Sequence, residues 1–147
     1  MSENEIDLAA ITGAQLAEMV KSTSDDQLRE TIRIVGVDDA LTRIFSEMEE
    51  RFKPGAAGGT DADVVFAIAD ADGVFPYHVK IDGGTCRTGA GELDDPRVRL
   101  QMQLPVFLKL ITNNLSGPMA FMSGKLKIEG DMMLASRLMG FFEAPSA

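Results

Sequence analysis

Few side chains in this 147-residue sequence could carry out bond chemistry, and their spacing limits what they could do. His78 is the sole histidine, the one residue with a ring that titrates near neutral pH. Strand alternation sets it beside Lys80, on the face opposite Tyr77 and Val79, which favours a surface or hydrogen-bonded structural role over proton transfer. Cys86 is the sole cysteine. Its neighbour Arg87 points to the other face of a strand and does not lower the thiol pKa, so an inert thiol is expected. Asp70, Asp72, Asp82, Asp94 and Asp95 all fall in turn sequences, where aspartate bonds its own backbone. Asp70 and Asp72 lack the remainder of a calcium loop. The sequence has no Walker motif, no paired histidines, no Gly-x-Ser-x-Gly and no dinucleotide fingerprint. It therefore implies no catalytic residue, no metal and no cofactor.

The elements around these residues are more informative than the residues themselves. From Pro105 to Phe142 the chain is strongly apolar. A helix opening at Pro105 carries Val106, Phe107, Leu110, Ile111 and Leu115 on one broad face and stops at Asn113, Asn114, Ser116 and Gly117. Pro118 to Met122 reads as a turn between loops. A second helix, capped by Asp131, runs through Met132, Met133, Leu134, Leu138, Met139, Phe141 and Phe142, with Ser136 and Arg137 as its polar relief. A helix apolar on most sides needs cover on most sides, from protein or from a ligand. Met119, Met122, Met132, Met133 and Met139 make up five of the nine methionines, and their unbranched thioethers suit either a core or a cavity with variable contents.

Between these helices stands Met122-Ser123-Gly124-Lys125-Leu126-Lys127-Ile128-Glu129-Gly130-Asp131, which resembles the C-terminal signature of the sterol carrier protein type two family of lipid-binding domains. Upstream pieces agree in order: Val64 to Ile68, Tyr77 to Gly84, Cys86 to Gly89, and Pro96 to Met102. The resemblance covers about Asp38 to Phe142. It implies an α+β fold: a five-stranded, mostly antiparallel sheet covered by helices on one face, enclosing an apolar tunnel for a sterol, fatty acid, acyl thioester or phospholipid.

The strands are legible without the resemblance. Val64 to Ala69 is apolar on both faces, so it is internal to the sheet or covered twice. Phe75, Tyr77, Val79 and Ile81 form one buried face of the next strand, and Pro76 within it favours an edge or a bulge. Asp82-Gly83-Gly84 turns into Thr85 to Ala90, and Asp94-Asp95-Pro96 precedes Arg97 to Gln103. The fifth strand, Lys125 to Glu129, points Leu126 and Ile128 inward.

The N-terminal third reads as helices: Ala14 to Lys21, a second behind the capping sequence Ser24-Asp25-Asp26-Gln27 ending at Gly36, and a third from Asp38 to Phe52 stopped by Pro54. Lys53 to Asp63 reads as a loop. Residues 1–36 form an N-terminal helical extension and 37–147 the lipid-binding domain. The extension is read as an amphipathic layer packed on the core, with a dimer arm or a lid as alternatives.

Composition narrows the partners. A net charge of -9 excludes nucleic acid as a standing partner and firm adhesion to an anionic membrane, while leaving transient membrane contact open. The acidic start Met1-Ser2-Glu3-Asn4-Glu5 lacks the basic region of a secretory signal, and the ending Ala144-Pro145-Ser146-Ala147 differs from a peroxisomal Ser-Lys-Leu, so a cytoplasmic location is expected. The expected function is non-enzymatic binding, with transfer, of a lipid or other apolar molecule. The expected lining is Phe107, Leu110, Ile111, Met119, Met122, Leu138, Met139 and Phe142. Two alternatives stand: an isomerase or cyclase in the same cavity using Tyr77, Asp82 or His78, and an interaction module that forms a homodimer through its N-terminal helices.

Overall fold

A strand apolar on both faces belongs where both faces are covered, and the strand around Phe66 lies at the centre of the sheet. The computed structural model describes residues 13–70, 73–112 and 114–142, with the side chains of residues 13–17 and 139 outside the description. Five strands, β1 (Ala62–Asp70), β2 (Gly73–Asp82), β3 (Thr85–Ala90), β4 (Val98–Gln103) and β5 (Leu126–Gly130), form one sheet in the order β3-β2-β1-β4-β5. Every pairing is antiparallel except that of β1 with β4. The α+β, mostly antiparallel architecture expected from sequence is the one observed.

The parallel pair forces the chain from β3 to cross back over β2 and β1. It does so on the face away from the helices. Gly91 N–H donates to Pro76 O at 2.8 Å, Glu92 grips Arg99 at 2.7 Å, and Arg97 N–H donates to Asp63 O at 2.8 Å. This crossing explains why Val65, which shares its outer-face row with His78 and Arg99, is fully buried. It also gives His78 its role: the ring N–H at Nδ1 donates to Gly91 O at 3.2 Å, and a Cβ at Gly89 would stand 2.9 Å from Nε2. Pro76 lies in an interior strand, against the simplest reading of its sequence, because β3 ends opposite Tyr77. Beyond that point β2 has a local free edge, where a missing N–H is tolerated.

Among the described residues seven helices accompany the sheet: α1 (Gly13–Ser22), α2 (Asp25–Val35), α3 (Val37–Glu50), α4 (Pro54–Ala57), α5 (Leu104–Ile111), α6 (Gly117–Met122) and α7 (Met132–Leu138), the last continued by a 3-10 turn, Met139–Phe141. Ser24 Oγ accepts the Gln27 amide at 3.3 Å, as the capping sequence predicts. Gly36, at φ 107°, ends α2 and opens α3 without an intervening loop. Several boundaries differ from the sequence reading: α7 ends at Leu138 and gives way to the 3-10 turn instead of running to Phe142, and α3 stops at Glu50 rather than Phe52. The Lys53 to Asp63 loop contains the single turn α4, started by Pro54. The Pro118 to Met122 turn is the helix α6, because Ser116 Oγ accepts the Met119 amide at 3.2 Å. Helix α5 stops at Ile111 rather than running to Leu115, since the Thr112 hydroxyl donates to Leu108 O at 2.6 Å and the Asn114 and Leu115 amides fold back onto Lys109 O.

The core is aromatic at its centre. Phe45 from α3 stacks on Tyr77 at 4.9 Å and on Phe107 at 5.2 Å, and meets the edge of Phe66 at 5.4 Å. Val20, Leu28 and Ile32 from α1 and α2 belong to the same buried cluster. Helix α2 is also tied to α5 by Asp25 and Lys109 at 2.7 Å.

Candidate ligand-binding cleft

Alternation along β5 divides its side chains: Leu126 is buried and Ile128 half-buried on the helix face, while Lys127 and Glu129 are exposed. Helices α6 and α7, joined to the two ends of β5 by a few residues each, stand over that apolar face without closing on each other. With the end of α5 they leave a cleft of about 330 Å³. Its walls are Leu110, Leu115, Phe121, Leu126, Ile128 and Met132, completed by Ser116, Gly117, Pro118, Ala135 and Ser136.

The two serines spend their polarity locally. Ser116 Oγ caps α6, and Ser136 Oγ donates to Met133 O at 2.8 Å. No side chain lining the cleft titrates, so the site offers burial to an apolar group and no acid, base or nucleophile. Two of its walls, Phe121 and Met132, are exposed, and the helices that carry them, α6 and α7, also expose Met119, Met122 and Met133. A larger hollow of about 440 Å³ lies on the outer face of the sheet, where Ala67, Ala69, Val74 and Val106 share the lining with the charged Arg99, Lys125 and Lys127.

Helix α7 is held in place as a wall by its first turn. Asp131 Oδ1 accepts the Leu134 amide at 3.0 Å, and Oδ2 accepts from Arg97 at 2.9 Å. These bonds, the Leu134 amide first, hold the Asp131 carboxyl below the usual range.

Of the eight lining residues expected from sequence, Leu110 is on the cleft wall. Ile111 is half-buried and packs against the core without lining the cleft. Phe107 and Leu138 are fully buried, and Phe142 is buried with its ring 5.7 Å from Phe52. Met119 and Met122 are exposed and do not line the cleft. The Met139 side chain lies outside the described part of the structure. The apolar moment of a helix says which side faces inward, not which inward residue meets a gap. Leu126 and Ile128 were legible as inward-facing from strand alternation, whereas Phe121 was hidden because its helix read as a turn.

The residues that could have served an enzyme stand elsewhere. The Tyr77 hydroxyl lies 3.0 Å from Asp38 O, 3.1 Å from Asp38 Oδ1 and 3.1 Å from Thr42 Oγ1, under the aromatic core, and burial raises its pKa. Asp82 is exposed in the β2-β3 hairpin, its carbonyl accepting from Thr85 Oγ1 at 2.6 Å. Burial first, then the Glu49 carboxylate, pushes the Cys86 thiol up to about 12. Among the described residues no group of three His, Cys, Asp or Glu side chains is placed to hold a metal ion, and no helix is long and apolar enough to cross a membrane.

Hydroxysteroid dehydrogenase-like protein 2 of Homo sapiens is 34% identical over 101 residues, which is 67% of this chain and 24% of that protein. The chain thus spans about a quarter of that relative's length. The sec-alkylsulfatase Pisa1 from Pseudomonas sp. superposes with a TM-score of 0.63 at 18% identity, over 71% of this chain and 16% of its own. Palmitated SCP2L2 from Aedes aegypti does so with a TM-score of 0.57 at 21% identity, over 71% of this chain and 95% of that one. At such identities the two structures speak to the fold alone. The family described as SCP-2 sterol transfer matches residues 41–143, the whole of the sheet and every wall of the cleft, and this chain belongs to that family.

Proposed function

We propose that this chain binds an apolar ligand, a fatty acid, acyl thioester, sterol or phospholipid, in the cleft between α5, α6, β5 and α7, and passes it on without catalysing a reaction. The observation that carries the proposal is the cleft lining: mainly apolar, with no titratable group and with both serines hydrogen-bonded within their own helices. Family membership supports it, and one fold neighbour is described as palmitated. Tyr77, His78 and Asp82, the groups an isomerase or cyclase would use, do not line this cleft.

The energetics suit a carrier. Burying about ten methylenes releases roughly 8 kcal/mol, and association costs of about 4 kcal/mol or more reduce this, so binding through the cleft alone is weak and readily reversed. A chain longer than the cleft would extend inward between the sheet and the helices, toward Phe107 and Leu138, and create the tunnel by displacing them.

Native mass spectrometry of the purified protein, followed by denaturation and organic extraction, tests the proposal. A lipid at near-unit occupancy is the expected result. Replacing Ala135 with Trp fills the cleft from α7 and should cut uptake of a fluorescent fatty acid at least about tenfold on a folded protein, the equivalent of 1.4 kcal/mol. An empty protein that takes up no fatty acid overturns the carrier reading. Unchanged uptake by the Ala135→Trp protein overturns the location.

A further inference from the structure

The two edges of the sheet are treated differently. At β3 the edge is closed by α3: the Thr88 amide donates to Glu49 Oε1 at 2.6 Å, and the Thr88 hydroxyl to Phe45 O at 3.1 Å. At β5 it is open. The Asp131 amide donates to Arg97 O at 3.0 Å, in register with Arg99 opposite Glu129 and Gln101 opposite Lys127. Residues two apart share a hydrogen-bonding side in an antiparallel ladder, so Lys127 and Glu129 turn their backbone groups to β4. Leu126 and Ile128 therefore turn theirs outward, where they have no backbone partner among the described residues.

An open edge is a template for another strand, and lysine on it ordinarily discourages pairing. Here Lys127 is followed at the next same-face position by Glu129, and both are exposed. That pattern is complementary to itself in one register. We propose that β5 pairs antiparallel with β5 of a second copy of this chain, about a twofold axis through Ile128, joining two five-stranded sheets into one. Ile128 then exchanges both of its outward hydrogen bonds with its twin, and Leu126 faces Gly130. Lys127 of each copy stands beside Glu129 of the other in the closely spaced, non-hydrogen-bonded positions. Moving the axis to Lys127 sets Lys127 against itself, and moving it to Leu126 sets Lys127 against Lys125. Charge thus selects one register and rejects its neighbours.

A second observation supports the same partner. Helices α6 and α7 adjoin the two ends of β5 and expose large apolar side chains, with Met122 81% and Met133 74% accessible. Antiparallel pairing brings α6 of one copy next to α7 of the other, which covers apolar surface that a monomer leaves in water. The pairing does not depend on what the cleft binds. A lipid surface would also cover the methionines, but would leave the edge amides of Leu126 and Ile128 unpaired.

Sedimentation over a concentration series reads the assembly directly. The wild-type chain should reach twice the monomer mass, and amide exchange at Leu126 and Ile128 should slow as the dimer forms. Lys127→Glu and Glu129→Lys should each be monomeric, while an equimolar mixture of the two should restore the dimer mass, because every cross-pair then joins opposite charges. Circular dichroism of each single variant checks folding, and the exchange measurement on the wild type stands without any variant. A wild type that stays monomeric overturns the proposal, whether or not it floats with phosphatidylcholine vesicles. A dimer indifferent to both substitutions, or one that leaves the Leu126 and Ile128 amides unprotected, places the interface elsewhere and overturns it as well.

Discussion

Arg97 and Asp131 join the start of β4 to the start of α7 through two contacts of 2.9 Å, from the guanidinium Nε and Nη2 to one carboxylate oxygen. The other oxygen caps the helix. One carboxylate therefore fixes the angle at which a wall of the cleft leaves the sheet. Because its pKa is lowered in the folded state, the stability it contributes is present above the ordinary aspartate value and lost as the pH falls through the lowered one. Asn also caps helices well, so Asp131→Asn removes the charge and keeps the geometry. Urea titrations should show the wild type ahead of Asp131→Asn near neutral pH, with the gap closing as the pH falls below about 3.9. A gap that does not change with pH would deny the carboxylate this role.

Asp70 closes β1 with its side chain wholly buried and neither oxygen hydrogen-bonded among the described residues. Its one charge partner among the described residues is Arg29 Nε of α2 at 3.9 Å. Removing one member of such a pair strands the other, whereas neutralising the buried one relieves it. Arg29→Ala should cost about 1–2 kcal/mol, less than a fully buried pair because Arg29 is a third exposed, while Asp70→Asn should be neutral or stabilising. Equilibrium urea unfolding of both variants decides this. An Asp70→Asn protein weaker than Arg29→Ala reverses the account.

Helices α1 and α2 precede the family match, which begins at residue 41, yet Leu28 and Ile32 are fully buried. The burial of two such side chains contributes about 1.5–3 kcal/mol each, a large part of a typical stability of 5–15 kcal/mol, and deleting them also uncovers the core they pack on. A chain starting at Val37 should therefore melt at markedly lower temperature or fail to fold. A truncated chain as stable as the full one would make these helices a detachable arm.

Cys86 is half-buried beside Glu49, with a thiol pKa near 12. At about pH 8 that leaves on the order of a thousandfold less thiolate than a free cysteine of pKa near 8.5. Iodoacetamide labelling should run at least about a hundredfold slower than on a free thiol, and guanidinium chloride should restore the ordinary rate. Rapid labelling of the folded protein would contradict the burial described here.

Local rules were sufficient for much of this protein. The turn chemistry of Asp82-Gly83-Gly84, the caps Ser24 and Asp131, and the double-faced strand Val64 to Ala69 each act within a few residues, so the order of strands and helices could be read from the chain. The signature ending in Gly130-Asp131 carried the family. Inward faces were legible in the same way, which is why Leu126 and Ile128 were placed correctly. The tertiary structure alone decided which inward residues meet a gap: Phe107 and Leu138 are held in the packed core, while Phe121 and Met132 stand at the cleft, because that choice depends on where α5 stops and how far apart α6 and α7 stand. It also decided that the connection from β3 to β4 covers Val65 and engages His78, and that Asp70 meets Arg29. Contacts between distant segments follow from the packing of whole elements, and no local pattern in the sequence encodes them.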